Sequence, residues 1–171
     1  MGRRNYLVEG VSGTGKTAVC NELRRRGFAA INGDRELAYQ GDPETGEPIT
    51  GTSGLAVHDH HLWDVGRVRA IAADDSDPAT FFCGGSRNAS SFIDAFDEVF
   101  ILTVDPNTLE RRLDTRDSSE WAGAGRYEER ALVRQLHAAG IEFPVGRPLD
   151  ATQPLETVVD ELLDECGLSQ R

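Results

Sequence analysis

The sequence reads as an α/β protein built on a parallel sheet, and three features lead there. Apolar runs of strand length alternate with stretches of helical period, the pattern of strands joined by crossover helices. A glycine-rich turn separates the first such strand from the first helix, which brings a helix N-terminus to the end of a strand. The 171 residues, 39% hydrophobic and 27% charged, provide for one core and leave little for a second, so residues 1–171 are read as a single domain.

Strands are expected at 5–9, 28–31, 79–83, 98–104 and 146–150, and helices at 15–26, 63–73, 88–95, 107–116, 126–139 and 154–166. Tyr6, Leu7 and Val8 make the first strand apolar before the glycines. The first helix closes on Arg24, Arg25 and Arg26, cations suited to the negative end of a helix dipole, and Gly27 stops it. The third strand is the apolar run ending in Cys83. Asp105 followed by Pro106 reads as an N-cap with proline at the first helical position, and Gly140 as a helix stop. Two stretches lack a regular pattern. Residues 41–62 are long for a connection and are read as an acceptor-side loop, and residues 117–125 open a glycine-containing lid that runs to about 130.

The formal net charge of −11 is spread along the chain, which argues against binding nucleic acid through its phosphates and favours small-molecule partners. Cys20, Cys83 and Cys166 are far apart and odd in number, which fits a reducing compartment and offers no disulfide framework. No apolar run approaches the ~20 residues that span a bilayer, and the N-terminus lacks a signal-peptide core. A cytoplasmic protein with no membrane or nucleic-acid partner is the expectation.

Residues Gly10, Val11, Ser12, Gly13, Thr14, Gly15, Lys16 and Thr17 fit the pattern GxxxxGK[ST] at every fixed position, between a strand and a helix as the motif requires. The glycines let successive N–H groups turn toward phosphate oxygens, and the helix N-terminus adds its positive end. Lys16 supplies a point charge to the outer phosphates of ATP, and the Thr17 hydroxyl is placed to ligate Mg²⁺. Lys16 is the single lysine among 18 basic side chains, so a chain that otherwise uses arginine places the compact ammonium at this position.

A phosphotransferase also needs groups for its acceptor and for the charge that develops in transfer. Asp34 follows the second strand, at the carboxyl end where parallel sheets place ligands; it suits a general base or an Mg²⁺ ligand through water, and equally a helix N-cap. Gly84, Gly85, Ser86 and Arg87 follow the third strand, where glycines allow close backbone approach and Arg87 reaches either a substrate or solvent. Arg112 and Arg116 lie four apart on one helical face before the lid, placed to clamp a phosphoryl group or to pair with surface acids.

In these residues the chain resembles the P-loop kinases of the nucleoside-monophosphate-kinase-like group, which includes adenylate, shikimate and gluconate kinases and chloramphenicol phosphotransferase. Asn32-Gly33-Asp34 is similar to the TGD of adenylate kinases, and Gly84-Gly85-Ser86-Arg87 to the GFPR of nucleotide kinases. The resemblance implies a P-loop NTPase fold with a five-stranded parallel sheet in the order 2-3-1-4-5. It implies ATP and Mg²⁺ as cofactors, lid-base roles on the ATP phosphates for Arg112 and Arg116, and a place beside adenine for Asp150 and Ala151. Arg87 matches an arginine that contacts the acceptor phosphate, and Arg35 stands at a shifted position for a second one. Two residues depart from the pattern. Nucleotide kinases commonly carry aspartate where this chain has Cys83, although gluconate-kinase-like sequences have cysteine there, and Ser91 stands where adenylate kinases have the glutamine that reads adenine.

The expected function is therefore an ATP-dependent small-molecule kinase acting on a hydroxyl acceptor such as a nucleoside, sugar or antibiotic. A nucleoside monophosphate kinase and a nucleotide-binding regulatory NTPase are the alternatives. His58, Asp59, His60 and His61 form a cluster whose spacing does not suit a metal site, and which reads as loop or substrate contacts. Trp63 suits either stacking on an acceptor ring or the core. The 41–62 loop carries Asp42, Glu44, Glu47 and Asp59 and no lysine or arginine, so a neutral or cationic acceptor is expected.

Overall fold

The structure, a computed structural model, describes residues 3–116, 126–139 and 144–169. Strands β1 (Arg4–Glu9), β2 (Ala29–Asn32), β5 (Ala79–Cys83), β6 (Glu98–Thr103) and β7 (Arg147–Asp150) form one parallel sheet in the order β2-β5-β1-β6-β7. The five expected strands lie within one or two residues of their expected bounds, and their spatial order is the expected 2-3-1-4-5 once the two short strands of a separate ribbon are set aside. Those two, β3 (Ala38–Gln40) and β4 (His61–Trp63), pair antiparallel.

Side-chain alternation explains the two-sided core, because successive strand residues point to opposite faces. Tyr6, Val8, Phe81, Cys83 and Phe100 pack with Cys20 and Leu23 of α1 (Lys16–Arg25) and with Val158, Val159, Leu162 and Leu163 of α7 (Leu155–Glu165). Leu7, Phe82 and Val99 face the other way, against Trp63, Phe92 and Val68, the last on α4 (Val65–Ala73). Strands covered on both faces read as nearly continuous apolar runs, which is why they were legible.

Local chemistry sets the element ends. Asp105 caps α5 (Pro106–Asp114), its Oδ1 accepting the N–H of Thr108 at 2.9 Å, with Pro106 in the first turn as expected. Gly27 closes α1 in a left-handed conformation, and the N–H of Phe28 returns to Leu23 O at 3.0 Å. The arginine run is also hydrogen-bonded: Arg25 and Arg26 both bond Glu22, and Arg24 reaches Ala30 O and Glu36. Gly140 lies outside the described residues.

Two expectations need correction. The helix expected over 88–95 is two single turns of 3₁₀ helix, Ala89–Ser91 and Ile93–Ala95, where Phe92 turns inward to stack on Trp63 and interrupts a regular helix. Residues 41–62 are not a structureless loop. Asp42 accepts the N–H groups of Glu44 and Thr45 in a tight turn, Gly41 bridges Pro48, and a short helix α3 (Ala56–Asp59) leads into β4. A further short helix, α2 (Gly33–Glu36), follows β2 directly. The lid lies outside the described residues through 125, and beyond it runs α6 (Arg126–Ala139).

Candidate active site

The phosphate loop folds back on itself between β1 and α1. Gly10, Gly13 and Gly15 all have positive φ, and Thr14 Oγ1 donates to Val11 O at 2.8 Å. Lys16 Nζ donates to Gly10 O at 2.5 Å, so the ammonium lies across the mouth of the loop, where outer phosphates of a bound nucleotide would meet it. Thr17, in the first turn of α1, is exposed.

Arg112 and Arg116 both reach this loop. Arg116 donates to Ser12 Oγ at 2.8 Å. Arg112 donates from its two terminal nitrogens to Thr14 O at 2.8 Å and Ala151 O at 2.7 Å, bridging the phosphate loop to the turn after β7. Burial and then the neighbouring Arg111 lower its pKa from the ordinary value. Beside it opens a pocket of about 240 Å³, lined among others by Gly15, Ala18, Arg112, Ala151 and Leu155, a largely apolar slot of a size for a nucleobase. Ala151 is part of that wall, whereas the Asp150 carboxylate is spent on its own turn, accepting from Thr152 N at 3.0 Å.

Two carboxylates lie within electrostatic reach of Lys16 and of each other. Asp34 is the second residue of α2 but caps nothing; its Oδ1 accepts from Gly85 N at 3.0 Å and from His61 Nε2 at 3.2 Å. Its side chain is 36% exposed; the partial desolvation would raise its pKa, but the His61 bond, the charge of Lys16 and the Gly85 N–H outweigh that and hold the carboxyl below its ordinary value. Glu9, the last residue of β1, is 5% exposed and its Oε2 is buried without a hydrogen-bond partner. Burial, against the pull of Lys16, raises it to about 7.

The glycine pair after β5 makes room for both. A Cβ on Gly84, which has φ of +148°, would stand 2.6 Å from both Asp34 Oδ1 and Trp63 Cζ2. One on Gly85 would stand 2.7 Å from Glu9 Oε1. Sequence reasoning passed over Glu9. The available signal was a charged residue ending an otherwise apolar strand directly before the glycine loop, a position where burial was to be expected.

Other candidates are placed as follows. Arg87 donates through Nε to His58 O at 3.0 Å and lies 4.0 Å from Asp59 Oδ1, which turns it along the 58–61 segment. Arg35 is exposed on α2. Trp63, expected as a possible stacking surface for the acceptor, is 0% exposed, stacks on Phe92 at 5.8 Å and forms the floor under Gly33 and Gly84; a covered ring has no face to offer an acceptor. Cys83 is buried, and its hydrogen bond with Cys20 together with burial pushes the thiol up, so it packs as a small neutral side chain. The histidines diverge: His60 reaches Gly41 O, His61 reaches Asp34, and His58 turns toward α6. Among the described residues no cluster of three potential metal-ligating His, Cys, Asp or Glu side chains exists.

Solved structures of several kinases share this fold. A sugar kinase from Janibacter sp. HTCC2649 is 19% identical with a TM-score of 0.59, covering 98% of this chain and 96% of its own. Shikimate kinase from Bacteroides thetaiotaomicron is 17% identical with a TM-score of 0.56, covering 96% and 99%. Deoxyadenosine kinase from M. mycoides, with bound dATP, is 15% identical with a TM-score of 0.54, covering 95% and 99%. No protein-family model matches the chain, and no curated protein sequence matches it. The five-stranded sheet with its phosphate loop is therefore a P-loop NTPase fold shared with these solved structures, and no helix among the described residues is long and apolar enough to cross a membrane.

Proposed function

We propose that the chain is an ATP-dependent kinase that transfers the γ-phosphoryl group to a hydroxyl of a small molecule. The observation that carries this reading is the pair Glu9 and Asp34, held beside Lys16 by the Gly84-Gly85 turn in two different protonation regimes. Carboxyls whose environments push their pKa values apart divide the acid–base work between them. Asp34 is a fixed negative charge that orients the acceptor hydroxyl. Glu9, titrating near neutrality, takes the proton of that hydroxyl as its oxygen attacks the γ-phosphorus and the bond to the bridging oxygen of ADP breaks.

Lys16 holds the outer phosphates, Arg116 stands at Ser12 beside them, and Arg112 secures the base pocket to the phosphate loop. The Thr17 hydroxyl and the ionised Asp34 carboxylate fit Mg²⁺, a hard cation that keeps several waters and takes one or two carboxylates beside the substrate phosphates. Bound there, Mg²⁺ would neutralise phosphate charge. The carboxylate missing at Cys83 has a substitute: Val8 pairs with Cys83 across the sheet, and Glu9 is the next residue along that neighbouring strand. This weighs against a regulatory NTPase that merely lacks its catalytic acid.

Arg87, engaged with His58 O and near Asp59, favours a hydroxyl acceptor over a nucleoside monophosphate. Acceptor-dependent ADP release, compared for a nucleoside and its 5′-monophosphate and across sugars, tests both parts. Release with no small molecule returns the protein to the regulatory class. A preference for the monophosphate that disappears in Arg87→Ala restores the nucleotide-kinase reading.

A further inference from the structure

Three parts of the chain meet at the pocket of about 240 Å³ beside Arg112: the phosphate loop with α1, the turn after β7, and α7. Among the residues lining it, Thr14, Arg112 and Gln153 carry side-chain hydrogen-bonding groups, and two of these are committed within the fold. Thr14 is 1% exposed and its Oγ1 donates to Val11 O, and both terminal nitrogens of Arg112 donate to backbone carbonyls. The turn after β7 is committed as well. Ala151 N donates to Thr103 O at 2.8 Å, Thr152 N to Asp150 Oδ1 at 3.0 Å and Gln153 N to Asp150 O at 3.4 Å, while Ala151 O accepts from Arg112.

The Gln153 side chain differs. Its Nε2 donates to Asp150 Oδ2 at 3.3 Å. The N–H and hydroxyl of Thr152 and then this amide hold the Asp150 carboxyl below its ordinary value, so at neutral pH it can only accept. The sense of the amide is thereby fixed, nitrogen toward Asp150, and Gln153 Oε1 is left without a donor among the described residues. Thr152 Oγ1 accepts the N–H of Asp105, which ties the same turn to the start of α5. The pocket wall therefore contributes a preset side-chain acceptor, whereas the N–H groups of the turn are already used.

Purines differ at position 6, where adenine has an amino donor and guanine or hypoxanthine an oxo acceptor. A base seated in the slot withdraws Gln153 Oε1 from water. An amino group there bonds it, whereas an oxo group in the same seating sets two acceptors against each other and leaves both unpaired. We propose that Gln153 Oε1 reads the 6-amino group of the donor base, so that a side chain selects ATP over 6-oxopurine triphosphates. The inference rests on the reading of this pocket as the donor-base site of the kinase and names the residue that sets its specificity.

Calorimetric titration with ATP, inosine triphosphate and purine riboside triphosphate, which has hydrogen at position 6, tests it without any acceptor. Wild type should bind ATP at least tenfold more tightly than either analogue. In Gln153→Met, which keeps the length of the side chain and removes its acceptor, the preference should shrink to about threefold or less through loss of ATP affinity, with inosine triphosphate bound no more weakly than before. Equal binding of the three by wild type, or a Gln153→Met loss of the same factor for each, overturns the assignment of Gln153 and leaves the kinase reading standing. The comparison within wild type decides the matter even where the variant folds poorly. Binding of none of the three by a protein that melts cooperatively denies the nucleotide site itself, and the kinase reading with it.

Discussion

The Asp34 carboxylate accepts the backbone N–H of Gly85 at 3.0 Å, and the same glycine owes its missing side chain to Glu9, whose Oε1 would stand 2.7 Å from a Cβ there. One turn after β5 thus positions both acids of the site, one through a hydrogen bond and the other through vacant space. Changes in that turn, in either acid or in Lys16 therefore have separable consequences.

Lys16→Ala should weaken ATP binding at least tenfold and abolish turnover, because no other lysine exists in the chain to reach the outer phosphates. Calorimetric titration of ATP into both proteins checks it. Equal affinity and equal turnover would remove the phosphate-binding role of the loop.

Asp34→Asn keeps the shape of the side chain and removes its charge. The expected outcome is a kcat lower by roughly 10²-fold with little change in ATP affinity, since Asp34 faces the acceptor side of Lys16. Steady-state kinetics with both substrates varied separates the two constants, and a kcat at the wild-type level would reduce Asp34 to a structural contact.

Glu9 predicts opposite signs for activity and stability. As a base it must be ionised, so kcat/KM should rise with pH through about 7, and Glu9→Gln should be slower by roughly 10²-fold with that limb gone. Its folded pKa is raised above the unfolded value, so between about 4.5 and about 7 the native state holds a proton that the unfolded chain has released, and stability falls as pH rises through that window. Ionised Glu9 then costs on the order of 3 kcal/mol above neutrality, and Glu9→Gln should melt higher than wild type at pH 8. Thermal melts at pH 5 and pH 8 beside a pH–rate profile test both halves; a variant that is slower and also less stable at pH 8 would contradict the burial argument.

Gly84→Ala places a methyl 2.6 Å from Asp34 Oδ1 and from the buried ring of Trp63, at a φ of +148° that side chains rarely adopt. Overpacking and backbone strain together should cost about 2–4 kcal/mol and displace Asp34, lowering kcat beyond any change in ATP affinity. Chemical denaturation and kinetics of the variant measure the two effects. Wild-type stability would mean that Trp63 yields more readily than a 0% exposed, stacked indole should.

The sequence alone determined the parallel sheet, its strand order through the resemblance, and the phosphate loop. Each rests on short-range patterns: apolar runs buried on both faces, the GxxxxGK[ST] spacing, and the Asp105-Pro106 helix start. The tertiary structure decided the rest of the site. Trp63 moved from candidate acceptor contact to core because β4 pairs with β3 and Phe92 turns in to cover it, contacts 29 residues away in sequence in one case. Glu9 joined the candidate site because burial and the absence of a donor are properties of what surrounds a side chain after folding. Periodicity tells which residues face a core; it does not tell which distant elements close over a carboxylate, and that closure raises Glu9 to about 7 while its neighbour Asp34 stays ionised.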